Sequence, residues 1–402
     1  MLPRLLEARL KRLLSLFPVV FLAGPRQAGK TTLSRKVAQE GGMAYHTLDD
    51  PTELAAARTD PQGYVANLPL PSVLDEVQRA PELFLPLKAR VDREGRPGAF
   101  LLTGSANVLL LPQVADALVG RMAVARLLPL AQAEIEGGKG RFPDLLLALA
   151  QGQPLPPAPP LGDLRARVGR GGFPPAVLGQ DPREWFRAYL DTLLSRDVRE
   201  LAQIERLQQL PHLLAVLASR QGGLLNAAEL SREVGIPYPT LRRYLRLLEA
   251  LYLVVELPPW SGNLGKRLLK APKVYLNDTG LAAHLLGHPG VPLEGGQWGH
   301  LLEAFAAGEI LRLQAVREDF QPYHYREAGG LEADFLLEFP QGLVALEVKA
   351  KATLGARDFV PLTRLRDRLG KRLLLAGILH PGERPLPFGE GVWALPLSYL
   401  WA

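Results

Sequence analysis

The chain of 402 residues contains no cysteine, only three methionines and seven histidines. The lack of cysteine excludes disulfides, thiolate nucleophiles and thiolate metal ligands, so a metal ion would be held by oxygen atoms or by histidine. Magnesium is the metal that we expect. Long apolar runs are also lacking, since no stretch approaches the ~18–20 residues that a membrane-spanning helix needs. We therefore expect a cytoplasmic protein without a membrane partner.

The N-terminal residues 1–17 are basic and rich in leucine, and an apolar run follows them. A secretory signal has a similar composition. The leucines, however, recur at helical spacing with the basic residues on the other side, which predicts an amphipathic helix. We therefore expect no cleaved signal at this end.

Neither sign of charge dominates the chain. It has 47 lysines and arginines against 41 aspartates and glutamates, a formal net charge of +6. This small excess permits a nucleic-acid partner without indicating one by itself. The length exceeds the roughly 250–300 residues at which single hydrophobic cores stop growing, so we expect several domains.

The pattern along the chain predicts three parts. Residues 1–160 alternate apolar strands with helical segments, which predicts an α/β domain with a parallel sheet. This part ends in a proline-rich stretch, residues 154–160, that favours an extended connector. Residues 161–290 are mostly helical. Residues 291–402 begin with a helix and continue with three short strand patterns, which predicts a small α+β domain.

A phosphate-binding pattern, GxxxxGK[ST], covers Gly24–Thr31 between an apolar strand and a helix. In this context the backbone N–H groups face a phosphate, Lys30 supplies charge to the β- and γ-phosphates, and Thr31 offers a hydroxyl to Mg²⁺. A glycine-rich turn with a solvated lysine is the alternative. The residues predicted to contact ATP are Gly24, Pro25, Arg26, Gln27, Ala28, Gly29, Lys30, Thr31 and Thr32.

Two carboxylates, Asp75 and Glu76, end a short apolar strand at residues 71–74. We predict that Asp75 positions Mg²⁺ and that Glu76 activates the attacking water. Without a phosphate loop upstream, such a strand end would more often simply meet solvent.

Two further residues are candidates for catalysis. Ser105 follows an apolar strand at residues 99–103, where its hydroxyl could reach the γ-phosphate or the water; a turn at the strand end is the alternative. Arg121 could neutralise charge in the transition state, usually across a subunit boundary, and a homo-oligomer would then be required. A surface ion pair of Arg121 fits the sequence equally well.

These motifs occur together in a known family. The segments GPRQAGKTTL at 24–33, LDEVQ at 74–78, LLTGSAN at 101–107, GGFP at 171–174 and EADFLLE at 332–338 resemble the prokaryotic AAA+ ATPases that carry a C-terminal domain of unknown function. The similarity covers most of the chain. It implies ATP hydrolysis by the first domain, with nucleotide-site roles for Lys30, Thr31, Asp75 and Glu76, and it implies no particular substrate. The chain departs from the family at residues 129–132, PLAQ, where a serine-leucine pair is usual.

The middle part contains a helix-turn-helix pattern with basic residues. Asn226 caps a first helix, and a second helix begins near Pro239 with its leucines on one face. Its arginines, Arg242, Arg243 and Arg246, lie elsewhere, and a strand and a basic turn follow with Lys266, Arg267, Lys270 and Lys273. This pattern predicts a winged helix whose second helix enters a DNA groove while the basic turn binds phosphate. A protein-contact module whose arginines form ion pairs is the alternative.

Three carboxylates near the C-terminus suggest a second metal site. Glu303 lies on a predicted helix, and Asp334 and Glu347 lie on neighbouring predicted strands, with Lys349 two residues further on. The order Asp, Glu-x-Lys resembles the core of restriction-endonuclease-like nucleases. The three carboxylates would bind a metal ion, and Lys349 would stabilise or deprotonate the attacking water. Members of that superfamily have also lost cleavage, so a binding or assembly module is the alternative.

The sequence as a whole predicts a Mg²⁺-dependent ATPase that couples its nucleotide state to a region acting on nucleic acid, with DNA favoured over RNA. The alternative is a nucleotide-gated switch that binds another protein through its middle part and has no nuclease activity. Salt-sensitive DNA binding would separate the two functions, because contacts to phosphate release counterions.

Overall fold

The computed structural model describes residues 2–105, 118, 120–179, 181–194, 207–263, 270–287, 295–327 and 329–402. Lys266 and Arg267, which we predicted to bind nucleic acid, lie outside these ranges. The chain forms two compact units. The first contains Met1–Pro129 and Leu248–Leu253, and the second contains Leu130–Leu247 and Val254–Ala402. The predicted division into three domains at residues 160 and 290 stays a prediction.

A five-stranded parallel sheet forms the centre of the first unit. Its strands are β1 (Val19–Ala23), β2 (Ala44–Thr47), β3 (Ser72–Asp75), β4 (Phe100–Gly104) and β5 (Met122–Arg126), in the order β2-β3-β4-β1-β5. Every residue of β1, β3 and β4 is buried. Their mostly apolar sequences follow from this burial, because parallel sheets are covered on both faces. The predicted α/β architecture is confirmed.

The helices of the first unit are α1 (Leu6–Leu16), α2 (Lys30–Gly41), α3 (Pro51–Thr59), α4 (Pro61–Asn67) and α5 (Phe84–Glu94). α1 buries Leu6 and Leu10, in agreement with the predicted amphipathic helix. α2 begins at Lys30, as predicted. Because the strands are parallel, their carboxyl ends meet at one edge of the sheet, and binding sites of such sheets lie at this edge.

The helices that follow residue 130 are α6 (Gln132–Glu136), α7 (Phe142–Ala150), α8 (Leu164–Arg170), α9 (Pro174–Leu178), α10 (Pro182–Thr192), α11 (Leu210–Ser219), α12 (Ala227–Val234), α13 (Tyr238–Ala250), α14 (Thr279–Leu285), α15 (Gly295–Arg317) and α16 (Val360–Leu369). The predicted proline-rich connector lies within residues 153–163, which form neither helix nor strand. Among the residues that the structure describes, no helix has both the length and the apolar character to cross a membrane.

The described residues of the second unit form two sheets. β6 (Val254–Leu257) and β7 (Lys273–Leu276) form an antiparallel pair. The larger sheet has the order β12-β13-β11-β10-β9-β8, with β8 (Gln321–Arg326), β9 (Glu332–Phe339), β10 (Gly342–Val348), β11 (Leu373–His380), β12 (Leu386–Gly389) and β13 (Val392–Pro396). Strands β8, β9 and β10 run antiparallel to their neighbours in this group, whereas β10, β11 and β13 are mutually parallel. The three predicted strands and the α+β character of this part are confirmed.

Candidate functional site

The phosphate loop connects the carboxyl end of β1 to the start of α2. Gly29, directly before α2, has a φ of 97°, which glycine adopts without the clash that a Cβ would cause. At Gly24 a Cβ would clash with the backbone oxygen of Leu127, so the close packing of the loop requires glycine. Nζ of Lys30 lies 3.0 Å from the backbone oxygen of Gly24 and 2.9 Å from that of Pro25. The buried lysine therefore lies folded across the loop that carries it.

Arg4 ties this loop to the segment that follows β5. Its Nη1 donates to the backbone oxygen of Ala28 at 2.7 Å, and its Nη2 donates to that of Leu128 at 2.6 Å. No local pattern pointed to Arg4, because its partners lie 24 and 124 residues away along the chain. The other loop residues differ in exposure: Ala28 is buried, Arg26 is half-buried, and Gln27 and Thr32 are exposed.

Asp75, at the end of β3, is 2% exposed and accepts hydrogen bonds from three hydroxyls. Thr31 Oγ1 lies 3.0 Å from Asp75 Oδ2, and the Tyr45 hydroxyl lies 2.7 Å from the same atom. Thr103 Oγ1 donates to Oδ1. No lysine or arginine pairs with Asp75 within the described ranges.

A buried carboxylate surrounded by neutral donors is unfavourable unless a cation compensates its charge. Thr31 and Asp75 are in contact and offer the oxygen atoms that Mg²⁺ prefers. The two residues therefore fit a magnesium ion that would be bound together with nucleotide phosphates.

Glu76 and Ser105 share one amide donor. Nε2 of Gln78 donates to Oε2 of Glu76 and lies 3.1 Å from Oγ of Ser105. Glu76 has a φ of 59°, a left-handed conformation that is uncommon outside glycine and concentrates at functional sites. Its backbone N–H donates to Thr103 Oγ1 at 3.2 Å. The structure thus brings Glu76 and Ser105 together through Gln78, which had no predicted role.

Arg121 lies at the amino ends of the strands, whereas the phosphate loop follows their carboxyl ends. It directly precedes β5, which runs parallel to β1 and in register with it. The five residues of strand, about 17 Å, therefore lie between Arg121 and the level of the phosphate loop. Its guanidinium pairs with Asp92 on α5. Within one chain Arg121 is therefore remote from the loop, and a role at the nucleotide of another subunit stays a prediction. The exposed Arg126, at the other end of β5, is instead the neighbour of Ala23.

The arginines of the helix-turn-helix segment lie on the surface. Asn226 caps α12 by accepting a hydrogen bond from the backbone N–H of Glu229 at 3.2 Å, as predicted. On α13 the leucines at 241, 245 and 248 are buried, whereas Arg242, Arg243 and Arg246 are exposed. None of the three arginines forms an ion pair with another described residue. Their side chains are therefore free to contact a partner.

Lys273 does not belong to this basic surface, contrary to our prediction. It begins β7, and its Nζ lies 2.8 Å from Oε1 of Glu303 on α15 and 3.0 Å from Oδ1 of Asp334 on β9. Tyr275, two residues further along β7, donates to Oε1 of Glu303 at 2.7 Å. The backbone N–H of Val348 donates to Oδ2 of Asp334 at 2.9 Å. Lys273, Tyr275, Glu303 and Asp334 are called the lysine cluster below.

Burial and charge determine the ionisation of the lysine cluster. Burial and the neighbouring Asp334 raise the pKa of Glu303 to about 7, although Lys273 and Tyr275 act in the opposite direction. Burial lowers the pKa of Lys273, but Asp334 and Glu303 outweigh this effect, and the net shift is upward. The lysine therefore keeps its charge at neutral pH.

The predicted second metal site is not assembled. Asp334 and Glu347 lie on the adjacent strands β9 and β10, as predicted, but Oε2 of Glu347 lies 3.1 Å from Nζ of Lys349. Burial raises the pKa of Glu347, and Lys349 opposes this shift. Across the described ranges no group of three or more aspartate, glutamate or histidine side chains is placed to hold a metal ion. Each of the carboxylates at 303, 334 and 347 faces a lysine instead.

Comparison with known proteins gives matches along most of the chain. Residues 16–136 match an AAA domain, residues 161–290 a domain of unknown function (DUF8612), and residues 298–400 a domain of unknown function (DUF4143). Two relatives, described as uncharacterized proteins of Mycobacterium tuberculosis and Mycobacterium bovis, are each 31% identical over 403 residues. The alignments cover 98% of this chain and 83% of each relative. Among solved structures, the Walker-type ATPase of Pyrococcus abyssi is 15% identical with a TM-score of 0.39, and 69% of this chain and 94% of that chain are covered.

Proposed function

Because this chain belongs to the family of AAA-type P-loop ATPases that carry a C-terminal domain of unknown function (DUF4143), we propose that it hydrolyses ATP with Mg²⁺ and that its nucleotide state controls DNA binding. One observation carries the first half of this proposal: the buried carboxylate of Asp75 has three hydroxyl donors, one of them from the phosphate loop, and no cationic partner among the described residues. The exposed arginines of α13 carry the second half.

Binding of ATP uses the phosphate loop and α2. The loop N–H groups and the amino end of α2 face the β-phosphate. Lys30 exchanges its two backbone oxygen partners for the β- and γ-phosphates, whose negative charge attracts the ammonium group more strongly than carbonyl dipoles do. Thr31 and Asp75 would hold Mg²⁺, which would supply charge neutralisation at the phosphate oxygens.

Hydrolysis needs a group that accepts a proton from the attacking water, and we assign this role to Glu76. Gln78 is a positioning residue, because its amide orients the Glu76 carboxylate towards the hydroxyl of Ser105. Ser105 would contact the γ-phosphate or the water. Arg121 is assigned to the active site of a neighbouring subunit, so the proposal includes a homo-oligomer.

DNA binding is assigned to residues 207–287. The order of elements supports a winged helix in this proposal: α11, a short bridge between Leu224 and Lys273, α12, α13, and then the pair β6 and β7. α13 would be the recognition helix. Its three arginines are exposed, and the ion pairs that the protein-contact alternative expects are absent among the described residues. Free guanidinium groups on one helix suit phosphate and base contacts.

The test is the ATPase rate of the full chain with Mg²⁺, measured without DNA, with single-stranded DNA and with duplex DNA. We expect turnover that requires Mg²⁺ and changes when DNA is added. A Mg²⁺-dependent rate that neither form of DNA alters, together with no DNA binding in fluorescence anisotropy, would favour the protein-binding switch. A chain without turnover would contradict the assignment of Glu76.

A further inference from the structure

We propose that Lys273 supplies the cation of the acidic pair Glu303 and Asp334, in the place of a divalent metal ion. The lysine cluster is thus a cation site filled by the chain's own ammonium group. It follows that the second unit performs no metal-dependent cleavage of nucleic acid at these carboxylates.

The geometry of the ammonium group supports this assignment. Nζ of Lys273 lies within 3.0 Å of one oxygen from each carboxylate, which are distances of charge-assisted hydrogen bonds. The same Glu303 oxygen accepts from Tyr275, and the other Asp334 oxygen accepts from the N–H of Val348. Three of the four oxygens that a metal ion could use, Oε1 of Glu303 and both oxygens of Asp334, are therefore already engaged by donors.

The charge balance leads to the same conclusion. The side chains of Lys273, Glu303 and Asp334 are 14%, 13% and 20% exposed, so two unpaired carboxylates here would repel each other in a poorly solvated place. The ammonium group of Lys273 lies against both carboxylates and compensates part of this charge. A divalent ion could enter only if Lys273 left both of its partners.

The fold holds Lys273 in this position. β7 pairs with β6, and Lys273 itself pairs with Leu257 and bridges to Leu224. Lys273 belongs to the part of the chain that matches DUF8612, whereas Glu303 and Asp334 belong to the part that matches DUF4143. Within the second unit, the ion pairs of Lys273 with Glu303 and Asp334 therefore join these two parts. A metal ion bound between the carboxylates would lack this link to β7.

Manganese titration of the nucleotide-free full chain tests the proposal. Three proteins are compared: the wild type, Lys273→Met, and the triple variant Lys273→Met, Glu303→Gln, Asp334→Asn, in which the cluster carries no charge. Electron paramagnetic resonance counts the bound Mn²⁺, and any ion at the first unit's Asp75 contributes equally to all three. We expect the wild type and the triple variant to bind the same number of ions, and Lys273→Met to bind one more and to melt at a higher temperature when Mn²⁺ is added.

Two results would overturn the proposal. One is a wild type that binds one more Mn²⁺ than the triple variant, since the carboxylates would then hold metal in the presence of the lysine. The other is a folded Lys273→Met protein that binds no additional ion. If Lys273→Met does not fold, the comparison of wild type and triple variant still tests the proposal, because an extra Mn²⁺ in the wild type would refute it. Incubation of the wild type with supercoiled DNA and Mn²⁺ adds a readout: nicking that Asp334→Asn abolishes would also refute the proposal.

Discussion

The hydroxyl oxygen of Tyr45 lies 2.7 Å from Oδ2 of Asp75 and joins the edge strand β2 to the carboxylate at the end of β3. Burial and the Asp75 carboxylate raise the pKa of this hydroxyl, so it stays protonated and donates. Asp75 thereby receives a hydrogen bond from a residue 30 positions earlier in the chain. The same oxygen accepts from Thr31, so Tyr45 holds the carboxylate in the orientation in which, under the proposed function, it would bind Mg²⁺.

The change Tyr45→Phe removes this donor and keeps the ring. We expect the Mg²⁺ concentration for half-maximal ATPase activity to rise by up to roughly 10- to 150-fold, which corresponds to the loss of one hydrogen bond to a charged group, about 1.5–3 kcal/mol. The matched control is Tyr64→Phe, which removes a tyrosine hydroxyl that donates to Glu53 in the same unit. Equal Mg²⁺ dependence in the two variants would contradict a role of Tyr45 at the metal position.

Two substitutions separate binding from hydrolysis at the nucleotide site. Lys30→Ala should remove most ATP affinity and turnover, because it deletes the ammonium group that would contact the β- and γ-phosphates. Glu76→Gln should bind ATP normally and lose at least about 100-fold in turnover, a typical contribution of a general base. Equilibrium binding of a fluorescent ATP analogue and steady-state phosphate release measure the two quantities. Wild-type turnover in Glu76→Gln would show that another group accepts the proton.

The arginines of α13 are tested by reversing Arg242, Arg243 and Arg246 to Glu. The proposed DNA contact predicts weaker binding and a flatter dependence of affinity on salt concentration, because fewer counterions are released. Folding should survive, since all three side chains are exposed. The matched control reverses the exposed Arg357, Arg364 and Lys371, which gives the same change in net charge. Anisotropy titrations in which both triple variants behave alike would assign the effect to net charge alone.

The raised pKa of Glu303 predicts a pH dependence of stability. The pKa of this carboxyl is about 7 in the folded chain, whereas its ordinary value is 4.5, so the folded state binds the proton more tightly than the unfolded state does. The contribution of this carboxyl to the free energy of unfolding is complete below pH 4.5 and is lost as the pH rises through 7. Its upper limit is about 3 kcal/mol. Melting temperatures of the wild type and Glu303→Gln between pH 5 and 8 measure it. The difference between wild type and variant should fall as pH increases, and a constant difference would contradict the raised pKa.

Periodicity and motif context predicted the sheet of the first unit, the start of α2 at Lys30, and the adjacency of Asp334 and Glu347. Each of these depends on residues close together in sequence, whose spacing reports local structure directly. Arg4 and Tyr45 were missed, because single polar residues outside a motif become recognisable only when distant segments fold together. Gln78 ends the motif LDEVQ, but its contact with Ser105 of a different strand could not be read from that motif. Lys273 was misassigned for the same reason. Its basic neighbours predicted an exposed surface, whereas its carboxylate partners lie 30 and 61 residues further along the chain.

The absence of a side chain at Gly222 leaves space for the carboxylate of Glu303 in the lysine cluster. The backbone N–H of Gly222 donates to the backbone oxygen of Val274 at 3.0 Å, and a Cβ on this residue, whose φ is 72°, would lie 2.5 Å from Oε1 of Glu303. In any larger residue at position 222, the Cβ would displace the carboxylate of Glu303 on α15 from the turn that follows α11. A residue that has neither charge nor side chain therefore also constrains this ion pair.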